Sequence, residues 1–133
     1  MQKVYANADG GSRGNPGPAA IGVVILDENK KVLAVHKEKI GIASNNIAEY
    51  KALLKALEMA AKHTTFELHV LMDSELVIRQ MQGDYKVKAQ HLLPLYLEAK
   101  SKEKMFKKII YESVLREFNA HADMLVNEAL DEK

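Results

Sequence analysis

The chain has 133 residues, enough for one domain with one core, and 47% of them are apolar, so burial needs no covalent staple. Lysine and arginine number 19 against 18 acids, and there is no cysteine, which excludes disulfides, thiol catalysis and cysteine-based zinc sites. The N-terminal "MQKVYANAD" lacks an apolar signal region and the longest apolar run, "AAIGVVIL", is too short to span a bilayer, so a cytoplasmic location without membrane contact is expected.

In chain order, "KVYANAD" reads as a strand ending at Asp9. "AAIGVVILDENKKVLAVHKEKIG" reads as a hairpin turning at "DENK". "SNNIAEYKALLKALEMAAKH" is the clearest helix, with Tyr50, Leu53, Leu54, Leu57 and Ala61 at helical spacing. "FELHVLMD" is a nearly continuous apolar run, the pattern of a buried parallel strand, and it ends at Asp73. "SELVIRQMQG" is a short helix closed by Gly83, and "AQHLLPLYLEAKSKEKM" a further helix with Pro94 near its start. "KKIIYESVL" is a strand and "NAHADMLVNEAL" a last helix. Three strands, then helices alternating with strands, make an α/β domain: a hairpin-linked antiparallel part joined to parallel neighbours in one mixed sheet. No repeat or linker divides it, so residues 1–133 are read as a single domain.

Charge is uneven along the chain. Eight bases (Arg79, Lys86, Lys88, Lys100, Lys102, Lys104, Lys107, Lys108) face three acids (Asp84, Glu98, Glu103) between residues 79 and 108. From Tyr111 onward six acids face two bases. A basic band of this kind suits a polyanion, although a solvated helix face explains it equally simply.

Four acids share a position type. Asp9 and Asp73 end strands, and Glu49 and Asp123 fall in the expected first turns of helices. In an open α/β sheet such places converge on one edge. Each acid has a local explanation: a turn at Asp9, a capping box between Asn46 and Glu49, a cap by Asp73 for the helix starting at Ser74, and a helix start at Asp123 capped by Asn119. All together, they form a carboxylate cluster that repels itself unless divalent cations neutralise it. Oxygen-only ligands favour Mg²⁺, with Mn²⁺ as a substitute, and a pair of ions about 3.5–4 Å apart suits phosphodiester hydrolysis.

"DGGSRGNPGP", residues 9–18, then reads as more than a turn. Gly10, Gly11 and Gly14 remove side chains beside Asp9 so that a nucleic-acid backbone can approach, while Ser12 and Asn15 can donate to phosphate or sugar oxygens. It lacks the Gly-Lys-Ser/Thr of a nucleotide-binding loop.

The segments "DGGSRGNPGPAAIGVVI", "SNNIAEYKALLKAL", "MDSELVIRQMQG" and "REFNAHADMLVNEAL" together resemble ribonuclease H of type 1, most of all its short archaeal and bacterial members. The resemblance implies a ribonuclease H-like fold, a five-stranded mixed sheet flanked by helices. It implies metal-dependent cleavage of the RNA strand of an RNA/DNA hybrid to 5′-phosphate and 3′-hydroxyl ends. Asp9, Glu49, Asp73 and Asp123 match the family's metal-binding carboxylates. Gly11, Asn15 and Asn45 match positions along the RNA strand, and Ser44 matches a residue that holds a DNA-strand phosphate. Hydrogen bonds to the 2′-hydroxyl would distinguish RNA from DNA, with duplex RNA as a second candidate substrate. A monomer is expected.

Two features depart from the family pattern. Many members carry a histidine in a glycine-rich loop before the last acid; here "VLREFNAHAD" has no such loop. Arg116 is the candidate replacement and would act electrostatically, since a guanidinium cannot serve as a base. His121, two residues before Asp123 on the same helix, points elsewhere and is read as a surface residue. The basic protrusion of longer members is also absent after Gly83, which leaves Lys86 and Lys88 to contact phosphates, with marked salt dependence. The missing histidine keeps a second reading open, a weakly catalytic relative that acts as a hybrid- or RNA-binding module.

Overall fold

The computed structural model describes residues 2–132; Met1 and Lys133, the two ends of the expected domain, lie outside the described residues. The elements are β1 (Lys3–Ser12), β2 (Gly17–Leu26), β3 (Val32–Ala43), α1 (Asn45–Ala60), β4 (Glu67–Met72), α2 (Glu75–Gln82), α3 (Leu93–Lys102), β5 (Lys108–Ser113) and α4 (Ala120–Asp131). Short 3₁₀ turns at Glu103–Met105 and Arg116–Asn119 precede β5 and α4. The five strands form one sheet in the order β3-β2-β1-β4-β5. β1, β2 and β3 are antiparallel neighbours, and β4 pairs in parallel with both β1 and β5. The expected mixed sheet is therefore present. No helix among the described residues is long and apolar enough to cross a membrane.

Strand alternation sets the two faces of the sheet. Val4, Ala6 and Ala8 of β1, Ile21, Val23 and Ile25 of β2, and Leu68, Val70 and Met72 of β4 point to one side, where they pack with Tyr50, Leu53 and Leu57 of α1. On the other side Ala20 meets Val126 and Ala129 of α4. The hairpin turn is held by Asp27, whose carboxylate accepts the N–H groups of Asn29 and Lys31 at 2.8 and 2.9 Å.

Three boundaries differ from the sequence expectation in ways that matter for the site. β1 does not end at Asp9 but continues to Ser12, because β2 pairs with it as far as Ser12–Ala19. The parallel pairing with β4 stops earlier, at Asn7–Leu71, so Asp9 overhangs the end of β4. α1 is capped by Ser44, whose hydroxyl accepts the Ile47 N–H at 3.2 Å, and not by an Asn46–Glu49 box. Glu49 is consequently one residue beyond the first turn and free to point at β1. Likewise Ser74, not Asp73, caps α2 by accepting the Val77 N–H. The stretch from Ala89 opens with a loop, a turn closed by the Leu92 N–H on the Ala89 carbonyl, and α3 then starts at Leu93 with Pro94 in its first turn, near the helix start where the sequence places it.

Both helix contacts with the sheet centre require a missing side chain. A Cβ on Gly10 would stand 2.2 Å from the Ala48 carbonyl oxygen of α1, and one on Gly22 2.4 Å from the Ala122 carbonyl oxygen of α4. Gly10 therefore makes room for α1, a correction to its reading as an opening for nucleic acid. Gly11 does have space: a Cβ there would meet only Val126 Cγ1, at an ordinary 3.6 Å. Gly10→Ala and Gly22→Ala are each expected to destabilise the fold by about 3 kcal/mol or more, and Gly11→Ala by less than about 1 kcal/mol. Thermal melts of the three variants check this; a Gly10→Ala protein as stable as the native one would contradict the described approach of α1.

Candidate metal centre

The overhang of β1, the turn after β4 and the inner face of α1 bring three acids together. One carboxylate oxygen from each of Asp9, Glu49 and Asp73 lies within 4.8 Å of the other two. Asp9 and Glu49 are only 5% and 8% exposed. Glu49 Oε1 accepts the backbone N–H of Gly10 at 2.5 Å, a bond made possible by the close approach of α1 at that glycine. Asp73 Oδ1 accepts from Asn119 Nδ2 at 3.3 Å, and Asp73 Oδ2 lies 3.6 Å from Arg116 Nε.

Asp123 is in the first turn of α4, as expected, and lines the same cleft of about 490 Å³ as the trio. It stands outside the tight group and reaches the cleft from α4.

These carboxyls share a space with almost no compensating charge. Burial pushes Asp9 up to about 9, with further upward contributions from Glu49, Asp73 and Asp123. Burial also pushes Glu49 up to about 8, against the lowering effect of the Gly10 N–H. Arg116 is the nearest cation, but its side chain is 76% exposed and its interaction with Asp73 is correspondingly weak. The site therefore holds protons at neutral pH or takes up positive charge from outside. Hard oxygen donors in a repelling group fit a divalent cation, which one oxygen from each of Asp9, Glu49 and Asp73 could hold.

The rest of the cleft is mostly polar, with Val126 and Leu130 of α4 as its apolar residues. Gly11, Ser12, Asn45, Arg116 and Asn127 contribute to its lining. Asn45 Oδ1 accepts the Ser12 N–H at 2.9 Å, and Asn15 Oδ1 accepts the Asn45 N–H at 3.1 Å. Both amide oxygens are thus engaged within the protein, and the exposed NH₂ groups remain as donors toward a ligand.

Asn15, Ser44 and Lys86 are not among the residues that line the cleft: Asn15 is exposed beside Asn45, Ser44 is half-buried as the cap of α1, and Lys86 is exposed on the α2–α3 loop. His121 is exposed and absent from the lining, in keeping with its surface reading.

Asn119 is the residue that sequence reasoning misplaced. It makes no side-chain cap bond to α4 and instead turns inward, 1% exposed. An asparagine just before a helix reads as a cap, so the local pattern carried no signal for the inward orientation. Arg13 and Asn127 were also missed at the rim; Arg13 pairs with Asp131 at 2.7 Å.

The family described as Reverse transcriptase-like matches residues 7–129. The Bifunctional protein Rv2228c of Mycobacterium tuberculosis is 49% identical over 130 residues, which cover 97% of this chain and 36% of that protein. The chain thus spans about a third of the length of the first curated relatives it matches. Among solved structures, RNase H1 from the halophilic archaeon Halobacterium salinarum superposes with a TM-score of 0.94 at 39% identity, covering 98% of this chain and 99% of that one. LC11-RNase H1 in complex with RNA/DNA hybrid superposes with a TM-score of 0.92 at 44% identity, covering 96% of each chain.

The raised pKa values set the pH response of the metal-free protein. Because Asp9 and Glu49 hold protons in the folded state that the unfolded chain releases above its ordinary carboxyl range, their contribution to stability is full below about pH 4 and is lost as pH rises through about 8–9. In chelator, the melting temperature is expected to fall by roughly 5 °C or more between pH 5 and 9, and excess Mg²⁺ to remove most of that fall. Asp9→Asn should flatten the metal-free profile. A profile that is flat without metal, or unchanged by it, would contradict the described crowding.

Proposed function

The chain belongs to the ribonuclease H family, type 1, and from that premise we propose that it hydrolyses the RNA strand of RNA/DNA hybrids, leaving 5′-phosphate and 3′-hydroxyl ends. The observation that carries this reading is the trio of Asp9, Glu49 and Asp73 within 4.8 Å, placed in one cleft with the free amide donor of Asn45. A relative of 44% identity solved in complex with RNA/DNA hybrid supports the choice of substrate. On this reading residues 1–133 act as one domain and as a monomer.

Asp9, Glu49 and Asp73 would hold divalent cations, with Asp123 completing the set from α4 when substrate enters. Bound there, two Mg²⁺ ions, or Mn²⁺ in their place, supply positive charge against the scissile phosphate and strengthen the acidity of water. The protein's own residues do the positioning. Asn45 and Asn15 present NH₂ donors to 2′-hydroxyls, the discriminating group of the RNA strand. Gly11, with open space at its Cα, lets the RNA backbone come close. Ser12 adds a donor to the same strand, Ser44 holds a phosphate of the DNA strand, and Lys86 reaches an outlying phosphate. Arg116, exposed at the rim beside Asp73, faces the charge that develops as the P–O3′ bond breaks. In the balance of the step, the water oxygen joins phosphorus and the 3′ oxygen leaves as a hydroxyl.

Labelled hybrid, duplex RNA and duplex DNA, each with Mg²⁺, Mn²⁺ or chelator, form the direct test. Metal-dependent cleavage of hybrid well above duplex RNA and none of duplex DNA is the expected result. Binding without cleavage would instead establish the weakly catalytic hybrid-binding module. Asp73→Asn is expected to abolish turnover, and Arg116→Ala to lower kcat by about tenfold or more with KM within about threefold. If only KM rose, Arg116 would be a docking residue.

A further inference from the structure

Asn119 opens a surface helix yet is among the most deeply buried polar residues of the chain. Its amide bonds to three residues, two of β1 and one just past the end of β4. Nδ2 donates to the Ala8 carbonyl of β1 at 2.8 Å and to Asp73 Oδ1 at 3.3 Å. Oδ1 accepts from Asn7 Nδ2 at 3.2 Å. The parallel ladder between β1 and β4 ends at Asn7, and Asn119 supplies the next carbonyl of β1 with a donor. Its backbone stands four residues before Asp123 on the helix that carries that acid.

We propose that Asn119 is a positioning residue for the carboxylate centre: its two amide hydrogens fix the orientation of Asp73 and pin the start of α4, and with it Asp123, to the strand that carries Asp9. The inference rests on the ribonuclease reading for its place in catalysis but not for its effect on cation binding. A helix cap needs only an acceptor oxygen, whereas both hydrogens of this amide are used away from α4. With Oδ1 hydrogen-bonded to Asn119, the Asp73 carboxylate cannot rotate freely, and Oδ2 remains turned toward Arg116. Groups that orient ligand carboxylates in this way typically matter for metal affinity by about 10–100-fold.

The test is Mn²⁺ titration by calorimetry of the full chain and of Asn119→Ala, well below the melting temperature of each, with steady-state kinetics on RNA/DNA hybrid alongside. Asn119→Ala is expected to weaken Mn²⁺ binding by about tenfold or more and to lower kcat by a similar factor, with KM within about threefold. Mn²⁺ affinity within twofold of native would overturn the proposal, as would a loss confined to KM. Should Asn119→Ala not fold, Asn7→Ala decides: it removes the bonds from Asn7 Nδ2 to the Asn119 amide oxygen and to the neighbouring Phe118 carbonyl, which steady the Asn119 amide from behind, and a loss of Mn²⁺ affinity of about threefold or more is expected, with no change overturning the proposal. A native protein that binds Mn²⁺ but leaves hybrid uncut would refute the ribonuclease reading while the titration still decided the role of Asn119.

Discussion

Helix α1 reaches the sheet so closely at Gly10 that its own backbone carbonyl, at Ala48, occupies the place of a side chain. That contact carries Glu49 to the Gly10 N–H and sets it beside Asp9. A bulkier residue at position 10 would lift the helix, and the two carboxyls would no longer share a buried space. The site is thus a consequence of packing. Along the α1-facing side of β1, Val4, Ala6, Ala8 and Gly10 become smaller toward the end of the strand, and at Gly10 the backbone of α1 fills the place of a side chain.

The same closeness has an electrostatic cost, because desolvated like charges resist ionisation. Asp9 and Glu49 retain protons well above the ordinary carboxyl range, and the cation beside Asp73, Arg116, is largely exposed. A fold selected for stability alone would hardly keep such a pair, which relates the strain to binding of positive charge. Gly22 does for α4 what Gly10 does for α1, and α4 carries Asp123 into the lining of the same cleft, outside the group of three. On the proposed reading, the three clustered acids would hold the cation and Asp123, in the same cleft, would complete the set when substrate enters.

Much of this could be read from the amino-acid sequence. The alternation in "KVYANAD", the long amphipathic helix and the apolar run before Asp73 pointed to the mixed sheet, and the expectation that acids at strand ends and helix starts meet at one edge brought Asp9, Glu49 and Asp73 together on paper, although β1 runs on past Asp9 to Ser12. Where the reading failed, the competing explanation was local. Asn46 and Glu49 have the spacing of a capping box, but Ser44 caps the helix and releases Glu49. Asp73 precedes a helix, but Ser74 caps it. Gly10 looks like part of a flexible loop, and only the position of Ala48 reveals its steric purpose. The inward turn of Asn119 depends on Ala8 and Asp73, residues more than forty positions away, and no nearby pattern encodes it.

The convergence of Asp9, Glu49 and Asp73 on a divalent cation is tested most directly by anomalous diffraction from crystals of the protein soaked in Mn²⁺. The expected result is a strong anomalous peak bounded by oxygens of all three side chains, with Asp123 on its open side. A peak elsewhere on the surface, with the three carboxylates left free of metal, would contradict it.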